Sequence, residues 1–295
     1  MQHLLQYFTH GATSKNFQTI GSEVETQFVC ENGQPISLET SQNILRYLSQ
    51  CGWHITQRKN ELITSVQDVY GNTFAYELGR QNIEFGSFVS SVNSVVEITL
   101  DSLQKLYSVA ALFDAYPFFE PILEGKENLL AIPDERDAIW LQLDGKEALM
   151  PMARTSSVQF TISVSPTDAI EILNRLGSKT DLFLESYPQD RIWREYIRTS
   201  KAEYKSDRYG GPLLFDSLDD YCQQLSGHSV VVGPELVPFD QVTDLNIPLF
   251  IRSVWWYFRL KRYGNDLCIE VRPMPRRNDE NIQNQLQMVL DIVKI

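Results

Sequence analysis

Cysteine is scarce in this sequence, and the four that occur form no closely spaced pair. They lie far apart along the chain, at Cys30, Cys51, Cys222 and Cys268. A zinc knuckle needs paired cysteines about two to four residues apart, and a disulfide-stapled domain needs a denser framework. We therefore expect free, buried thiols rather than a zinc site or a disulfide scaffold.

Long apolar runs are also missing from the chain. No stretch approaches the roughly 18 to 20 apolar residues that a membrane-spanning helix requires. Residues 1–15 lack the basic segment followed by an apolar one that a secretory leader would show. We expect a cytoplasmic protein without a membrane partner.

Basic residues are outnumbered, with 26 Lys and Arg against 38 Asp and Glu, so the formal net charge is -12 at pH 7. A surface of this sign repels phosphate backbones, and we expect no nucleic-acid partner. A surplus of carboxylates is expected where several of them surround bound cations, although a solvated acidic surface gives the same total.

The rest of the composition is typical of a globular protein with a substantial core. The 295 residues are 43% hydrophobic and 22% charged, and we expect one domain over residues 1–295. Strand-like and helix-like segments alternate irregularly, and several strands are predicted as hairpin partners. This pattern favours an α+β fold with a mainly antiparallel sheet.

The segment 155–164 has the clearest strand pattern in the chain. Its alternation predicts a sheet with one apolar face and one polar face on which a site could lie. The apolar positions are Val158, Phe160, Ile162 and Val164, and the polar positions are Ser157, Gln159, Thr161 and Ser163.

Spacing and turn residues predict further elements. They are a strand at 19–29, a helix at 94–116, a helix at 166–176 with Gly177 just past its end, a strand or helix at 250–260, and a strand at 266–274. The charged and tyrosine-rich segment 186–212 is predicted to be either a solvated connection or a loop that folds over a ligand.

Glu23 and Glu25 are two residues apart on the predicted strand at 19–29. Their carboxylates should therefore point to the same side, roughly 6 to 7 Å apart. Carboxylates this close repel each other unless a cation lies between them, and Mg²⁺ prefers oxygen ligands of this kind. Taken alone, the same pattern also describes a solvent-facing strand edge.

Glu77 and Glu84 are separated by a predicted turn at Gly79 and Arg80. The turn would place the two glutamates on neighbouring antiparallel strands, where they can converge. Glu84 should face the polar side of the sheet, because Ile83 and Phe85 on either side of it alternate to the apolar side.

Glu270 and Arg272 share one face of the predicted strand at 266–274. This pair has two interpretations: a cross-strand ion pair, or a metal ligand beside a guanidinium that binds phosphate oxygens. The local sequence favours the ion pair.

Four segments in order resemble the glutamate-cysteine ligase and carboxylate-amine ligase family, which has the glutamine synthetase fold. They are GSEVE, YELGRQNIEFGS, RTSSVQFTISV and WWYFRLKRYGNDLCIEVR, and the match runs from about Gly21 to Arg272. The resemblance implies a curved, mainly antiparallel sheet that forms a funnel-shaped active site, with helices packed outside.

The resemblance also implies roles for individual residues. The implied catalytic residues are Arg272, which would contact ATP phosphates, and Arg259, which matches an arginine that follows a tryptophan in the carboxylate-amine ligases. Gln159 and Arg272 are the residues implied to bind the cofactor. Gln159 stands where many members have histidine and where plant-type glutamate-cysteine ligases have glutamine. The implied metal ligands are Glu23, Glu25, Glu77, Glu84, Glu270 and Gln159.

The implied reaction uses ATP and two or three Mg²⁺ ions, with Mn²⁺ as a possible substitute. ATP would phosphorylate an amino-acid carboxylate, such as the γ-carboxylate of glutamate, and an amine such as cysteine would attack the acyl phosphate. A homodimer is compatible with the family. The chain is short for this family, and residues 273–277 replace its usual continuation after Glu-x-Arg, so a non-catalytic Mg-ATP-binding relative and a small-carboxylate kinase are the alternatives.

Overall fold

The structure is a computed structural model, and it describes residues 2–13, 15–130, 135–232 and 235–293. The helices are Gln2–Thr9 (α1), Leu38–Gln50 (α2), Val95–Ala111 (α3), Glu135–Asp144 (α4), Lys146–Leu149 (α5), Ala169–Ser178 (α6), Thr180–Leu184 (α7), Gln189–Thr199 (α8), Leu218–Ser226 (α9), Ile247–Arg252 (α10) and Glu280–Val293 (α11). The strands are Ile20–Val29 (β1), His54–Lys59 (β2), Leu62–Gln67 (β3), Thr73–Tyr76 (β4), Asn82–Gly86 (β5), Tyr116–Phe118 (β6), Ser157–Ser163 (β7), Tyr209–Gly210 (β8), Val230–Val232 (β9), Glu235–Val237 (β10), Trp255–Trp256 (β11), Phe258–Tyr263 (β12) and Asp266–Pro275 (β13).

The main sheet has nine strands among the described residues, in the order β12-β13-β7-β1-β5-β4-β3-β2, with β6 also paired to β1. Every one of these pairings is antiparallel. The predicted antiparallel sheet in a mixed α/β protein is therefore confirmed. Strand β1, close to the N-terminus, pairs with β7, which in turn pairs with β13, so the centre of the sheet joins distant parts of the chain.

The two faces of the sheet differ as the alternation in β7 predicts. Val158, Phe160 and Ile162 are at most 2% exposed and belong to the main hydrophobic core. Helices α2 and α3 pack against β3, β1 and β5, and α6 and α7 pack against β12 and β13. The opposite face carries the polar side chains, and residues of α4, α8, α10 and β11 face it across a cavity.

The prediction of a solvated connection or a loop at 186–212 is wrong for residues 189–199, which form helix α8. Tyr196 and Ile197 are buried in it, and Asp190 pairs with Arg194 one turn later. Gln189, at the start of the helix, donates to the Ser156 carbonyl at 2.7 Å. Within α8, the exposed charges Arg191, Arg194, Glu195 and Arg198 form the outer side of an amphipathic helix.

The helix predicted at 166–176 begins later and runs through Gly177, which lies inside α6. A Cβ atom at Gly177 would lie 1.7 Å from the Leu213 carbonyl oxygen. This glycine is therefore required for close backbone contact and does not mark the end of the helix.

The other differences are in element boundaries and thiol burial. The helix predicted at 94–116 ends at Ala111, and Asp114, with a φ of 53°, leads into β6. The segment 250–260 contains the end of α10, all of β11 and the start of β12. The four thiols are free, as predicted, but Cys51 is exposed. In the described ranges, no helix is both long enough and apolar enough to span a bilayer.

Candidate active site

The register of the central strands brings the predicted site residues to one place. Glu25 on β1 is paired with Glu84 on β5, and Glu23 is paired with Gln159 on β7. Glu77 follows β4, which pairs with β5 on its other side. These side chains line a cavity of about 410 Å³ on the polar face, together with Arg259 and Arg272. Glu270 lies beside this cavity and is completely buried.

Three of the glutamates form an acidic cluster, which we define as Glu25, Glu77 and Glu84. One carboxylate oxygen from each lies within 4.8 Å of the others. Burial and the neighbouring Glu77 raise the pKa of Glu25 to about 8. Burial and the carboxylates of Glu77, Glu23 and Glu25 raise the pKa of Glu84 well above its usual range. Full ionisation of the acidic cluster is therefore disfavoured as long as no positive charge lies within it.

The donors in the acidic cluster suit a hard divalent cation. Mg²⁺ and Mn²⁺ both prefer carboxylate oxygens, and a bound ion would relieve the repulsion within the cluster. Glu25 is also held in place, since it accepts hydrogen bonds from the Ser157 amide at 2.8 Å and the Ser157 hydroxyl at 2.9 Å. By the chemistry of these donors, the acidic cluster fits a metal ion.

Glu270 has the opposite electrostatic environment. Its carboxylate accepts from Arg259 and Lys261, and from Arg272 Nη1 at 3.0 Å. Burial opposes ionisation of Glu270, but Arg259, Lys261 and Arg272 together hold its pKa well below the usual range. We call these four residues the cationic cluster. The expected ion pair between Glu270 and Arg272 is therefore present, and it has two further basic partners.

Arg259 and Arg272 differ in how far they reach into the cavity. Arg259 is 6% exposed in its side chain and also donates to the carbonyls of Ile251 at 3.0 Å and Val254 at 2.9 Å. The Arg272 side chain is 21% exposed. Arg272 thus has surface available to a ligand, whereas Arg259 is committed to protein groups.

Gln159 lies between the two clusters and contacts both. Its Nε2 donates to Glu25 at 3.3 Å, and its Oε1 accepts from Arg272 Nη1 at 2.9 Å. The amide can do this because it carries both a donor and an acceptor. Gln159 therefore fixes the distance between the acidic cluster and the nearest guanidinium.

Lys261 was missed in the sequence analysis, although a signal for it exists. It follows Arg259 by two residues on β12, and therefore lies on the same face of the strand. Its ammonium contacts Glu270 and lies 3.8 Å from Glu23 Oε1. Although burial acts to lower it, the pKa of Lys261 is raised by Glu270 and Glu23, so the side chain is charged.

An aromatic wall faces the clusters across the cavity, formed by Trp140, Trp193 and Trp255. The Trp193 and Trp255 rings are 5.7 Å apart, and the Trp140 and Trp255 rings are 5.1 Å apart. Such a wall offers a flat apolar surface to a ligand whose other end meets the charged groups. Local sequence patterns do not reveal this wall, because its members come from three separate elements.

No protein-family model matches this sequence, and no curated protein matches it. Among solved structures, the chain is similar to a bifunctional glutathione synthetase from Pasteurella multocida, with a TM-score of 0.53 and 10% identity over 99% of this chain and 39% of that one. It is also similar to a glutamate-cysteine ligase from Francisella tularensis in complex with AMP, with a TM-score of 0.53 and 11% identity over 95% of this chain and 68% of that one.

The chain thus spans well under half the length of the first of these proteins. At such identities the likeness shows the fold alone, and the predicted likeness of fold to the carboxylate-amine ligases is confirmed.

Proposed function

We propose that this protein is an ATP-dependent ligase that forms an amide between an amino-acid carboxylate and an amine, and that residues 1–295 act as one catalytic domain. The observation that carries the proposal is the meeting of an acidic cluster and a cationic cluster in one cavity. Phosphoryl transfer needs such a site, because charge on the transferring group must be offset and its oxygens held in place. Of the structural neighbours named above, one is described as a bifunctional glutathione synthetase and the other as a glutamate-cysteine ligase in complex with AMP.

Glu25, Glu77 and Glu84 would hold a divalent ion, Mg²⁺ or Mn²⁺, in this proposal. The bound ion would supply positive charge for the phosphate oxygens of ATP. Ser157 and Gln159 keep Glu25 in position for this role through the hydrogen bonds described above. The protein's own part is therefore to gather three oxygen donors and to fix one of them firmly.

Arg272 would bind phosphate oxygens directly, because its guanidinium reaches the cavity and is oriented by Gln159 and Glu270. Arg259 would act as a positioning residue, since its donors contact Glu270 and two backbone carbonyls. This arrangement refines the expectation for Arg259, which the resemblance places among the catalytic groups.

The reaction transfers the γ-phosphoryl group of ATP to a carboxylate oxygen, which gives ADP and an acyl phosphate. The amine nitrogen then attacks the acyl carbon, phosphate leaves, and the nitrogen loses a proton to give the amide. No nucleophile from the protein is required, which agrees with a cavity rich in glutamate and arginine. We propose the γ-carboxylate of glutamate as the donor group and an amino acid such as cysteine as the amine.

The test is an ATP-turnover assay with Mg²⁺, a panel of acidic amino acids and a panel of amines. We expect ADP, phosphate and a new amide, the last identified by mass spectrometry. Glu77→Gln should lower turnover by about 100-fold or more, whereas the matched change Glu31→Gln at an exposed site should not alter it.

Each alternative function has its own result in the same assay. Binding of Mg-ATP without turnover on any pair would indicate a binding or regulatory protein instead of a ligase. An acyl phosphate that hydroxylamine traps, without any amine-dependent product, would indicate a kinase of small carboxylates.

A further inference from the structure

The six predicted metal ligands lie in two different electrostatic environments. The acidic cluster makes no salt bridge to lysine or arginine within the described part of the chain. The remaining three, Glu23, Glu270 and Gln159, lie among basic side chains. A site for two or three ions would need oxygen atoms free to bind a metal in both groups, the acidic cluster and the set formed by Glu23, Glu270 and Gln159.

In the second group, the oxygen atoms of Glu270 and Gln159 already accept contacts from basic side chains. Lys261 Nζ contacts Oε1 of Glu270, while Arg259 and Arg272 both donate to Oε2. The amide oxygen of Gln159, the atom that could bind a metal, accepts from Arg272 at 2.9 Å. A divalent cation placed here would meet three positive charges and find both oxygens of Glu270 in use.

Lys261 is also placed where a bridging cation would be needed. Its ammonium contacts Glu270 and lies 3.8 Å from Glu23 Oε1. The ring of Tyr263 lies 5.7 Å from the same nitrogen, and the lysine side chain is only 16% exposed. The lysine therefore has the position of an internal counter-ion, between two carboxylates that come from the strands on either side of β7.

We propose that the ammonium of Lys261 takes the place of a second divalent ion, so that the protein itself binds one metal, at the acidic cluster. The predicted roles of Glu23, Glu270 and Gln159 as metal ligands would then be replaced by salt bridges and hydrogen bonds. This inference rests on the proposed function for the purpose of the bound metal, but its geometry does not depend on turnover. Because the Lys261 ammonium is part of the chain, it neutralises Glu23 and Glu270 at any metal concentration.

The test counts Mn²⁺ ions bound to the purified chain without nucleotide, by electron paramagnetic resonance of free Mn²⁺ during a titration. We expect one site in the wild type, no site in Glu84→Gln, and an unchanged site in Glu23→Gln. Lys261→Met should gain a second, weaker site, and Lys261→Arg should keep the wild-type count. The extra site should be lost again in the double variant Glu23→Gln/Lys261→Met.

Two ions bound to the wild type would overturn the proposal, as would the same count in Lys261→Met and the wild type. Circular dichroism checks that each variant is folded, and Lys261→Gln serves as the second neutral variant if Lys261→Met does not fold. Because the count needs no substrate, a chain that forms no amide but shows the expected counts would refute the proposed function and leave this inference standing. A chain that forms an amide but does not show the expected Mn²⁺ counts would refute only the proposed role of Lys261.

Discussion

Glu25 and Glu84 face each other directly across the antiparallel ladder between β1 and β5. Facing positions in such a ladder bring side chains to about 5 Å, and two carboxylates at this distance destabilise the fold when nothing positive lies between them. Glu77 adds a third carboxylate to the same group. The fold thus tolerates a local cost in stability at the place where we propose that a metal binds.

The first prediction concerns this cost. Glu84→Gln removes a carboxyl group whose ionisation is disfavoured by burial and by the neighbouring glutamates, and it should stabilise the metal-free protein by about 1 kcal/mol. The same change should remove the stabilisation that Mg²⁺ gives to the wild type, because binding to the folded state alone raises stability. Thermal unfolding with and without Mg²⁺, in the presence of a chelator for the metal-free arm, measures both effects.

Glu31→Gln is the control for this comparison, since Glu31 is exposed and lies in the turn after β1. It should leave both unfolding curves unchanged. A metal-free Glu84→Gln protein that is no more stable than the wild type would show that the carboxylates of the acidic cluster do not repel each other in the folded state.

The second prediction concerns Arg259, the most deeply buried of the basic partners of Glu270. Arg259→Met removes one of the cations around Glu270, together with the guanidinium hydrogen bonds to the Ile251 and Val254 carbonyls. Breaking a buried ion pair on one side costs about 3 to 5 kcal/mol. We expect a loss of unfolding free energy of this size in urea denaturation, even though Lys261 and Arg272 still contact the carboxylate.

The matched change is Arg277→Met, which breaks an ion pair with Glu120 on the surface. Exposed pairs contribute about 0 to 1 kcal/mol, so this variant should unfold close to the wild type. Equal losses in the two variants would mean that burial of the Glu270 ion pairs does not govern their contribution.

The third prediction concerns pH. His228 is 2% exposed, and burial lowers its pKa to about 4, with Asp207, Arg208 and Lys205 as the charged groups that face it. The unfolded chain, with an ordinary histidine pKa near 6.5, binds a proton that the folded chain excludes. Stability should therefore fall as the pH decreases from about 6.5 to about 4, and this contribution should level off below that.

The measurement is the unfolding free energy of the wild type and of His228→Gln at several pH values from 7 to 4. The wild type should lose up to about 3 kcal/mol more than the variant over this range, because glutamine does not titrate. His54→Gln is the control, since His54 is exposed and its removal should leave a profile parallel to the wild type. Parallel profiles for His228→Gln as well would show that His228 does not resist protonation in the fold.

Much of this site could be predicted from sequence, because its glutamates follow strand alternation. The Glu23 and Glu25 spacing and the turn between Glu77 and Glu84 placed them on one face, and the sheet has this arrangement. The ordered motifs also predicted the fold that the structural comparisons show. Local periodicity was sufficient wherever the relevant neighbours are on paired strands.

Contacts set by tertiary packing could not be predicted in this way. Alternation on β12 places Lys261 on the same face as Arg259, but its role as a counter-ion is visible only when Glu23 and Glu270 are placed on either side of it. The aromatic wall and helix α8 were missed for a related reason. Trp193 lies in a segment whose charges favour a loop when read alone, and it meets Trp255 only after the chain folds back over the sheet.

The last prediction tests whether Arg272 binds ATP directly or supplies only a positive charge to the cavity. Arg272→Lys keeps the positive charge but loses the fixed fork of donors that can contact Gln159, Glu270 and a phosphate group together. We expect kcat/KM for ATP to fall by about 10 to 100-fold, which corresponds to about 1.4 to 3 kcal/mol of lost transition-state stabilisation. Stability should change much less than in Arg259→Met, because the Arg272 side chain is partly exposed. Full activity in Arg272→Lys would mean that Arg272 acts only as a counter-ion for Glu270, and that ATP phosphates are bound elsewhere in the cavity.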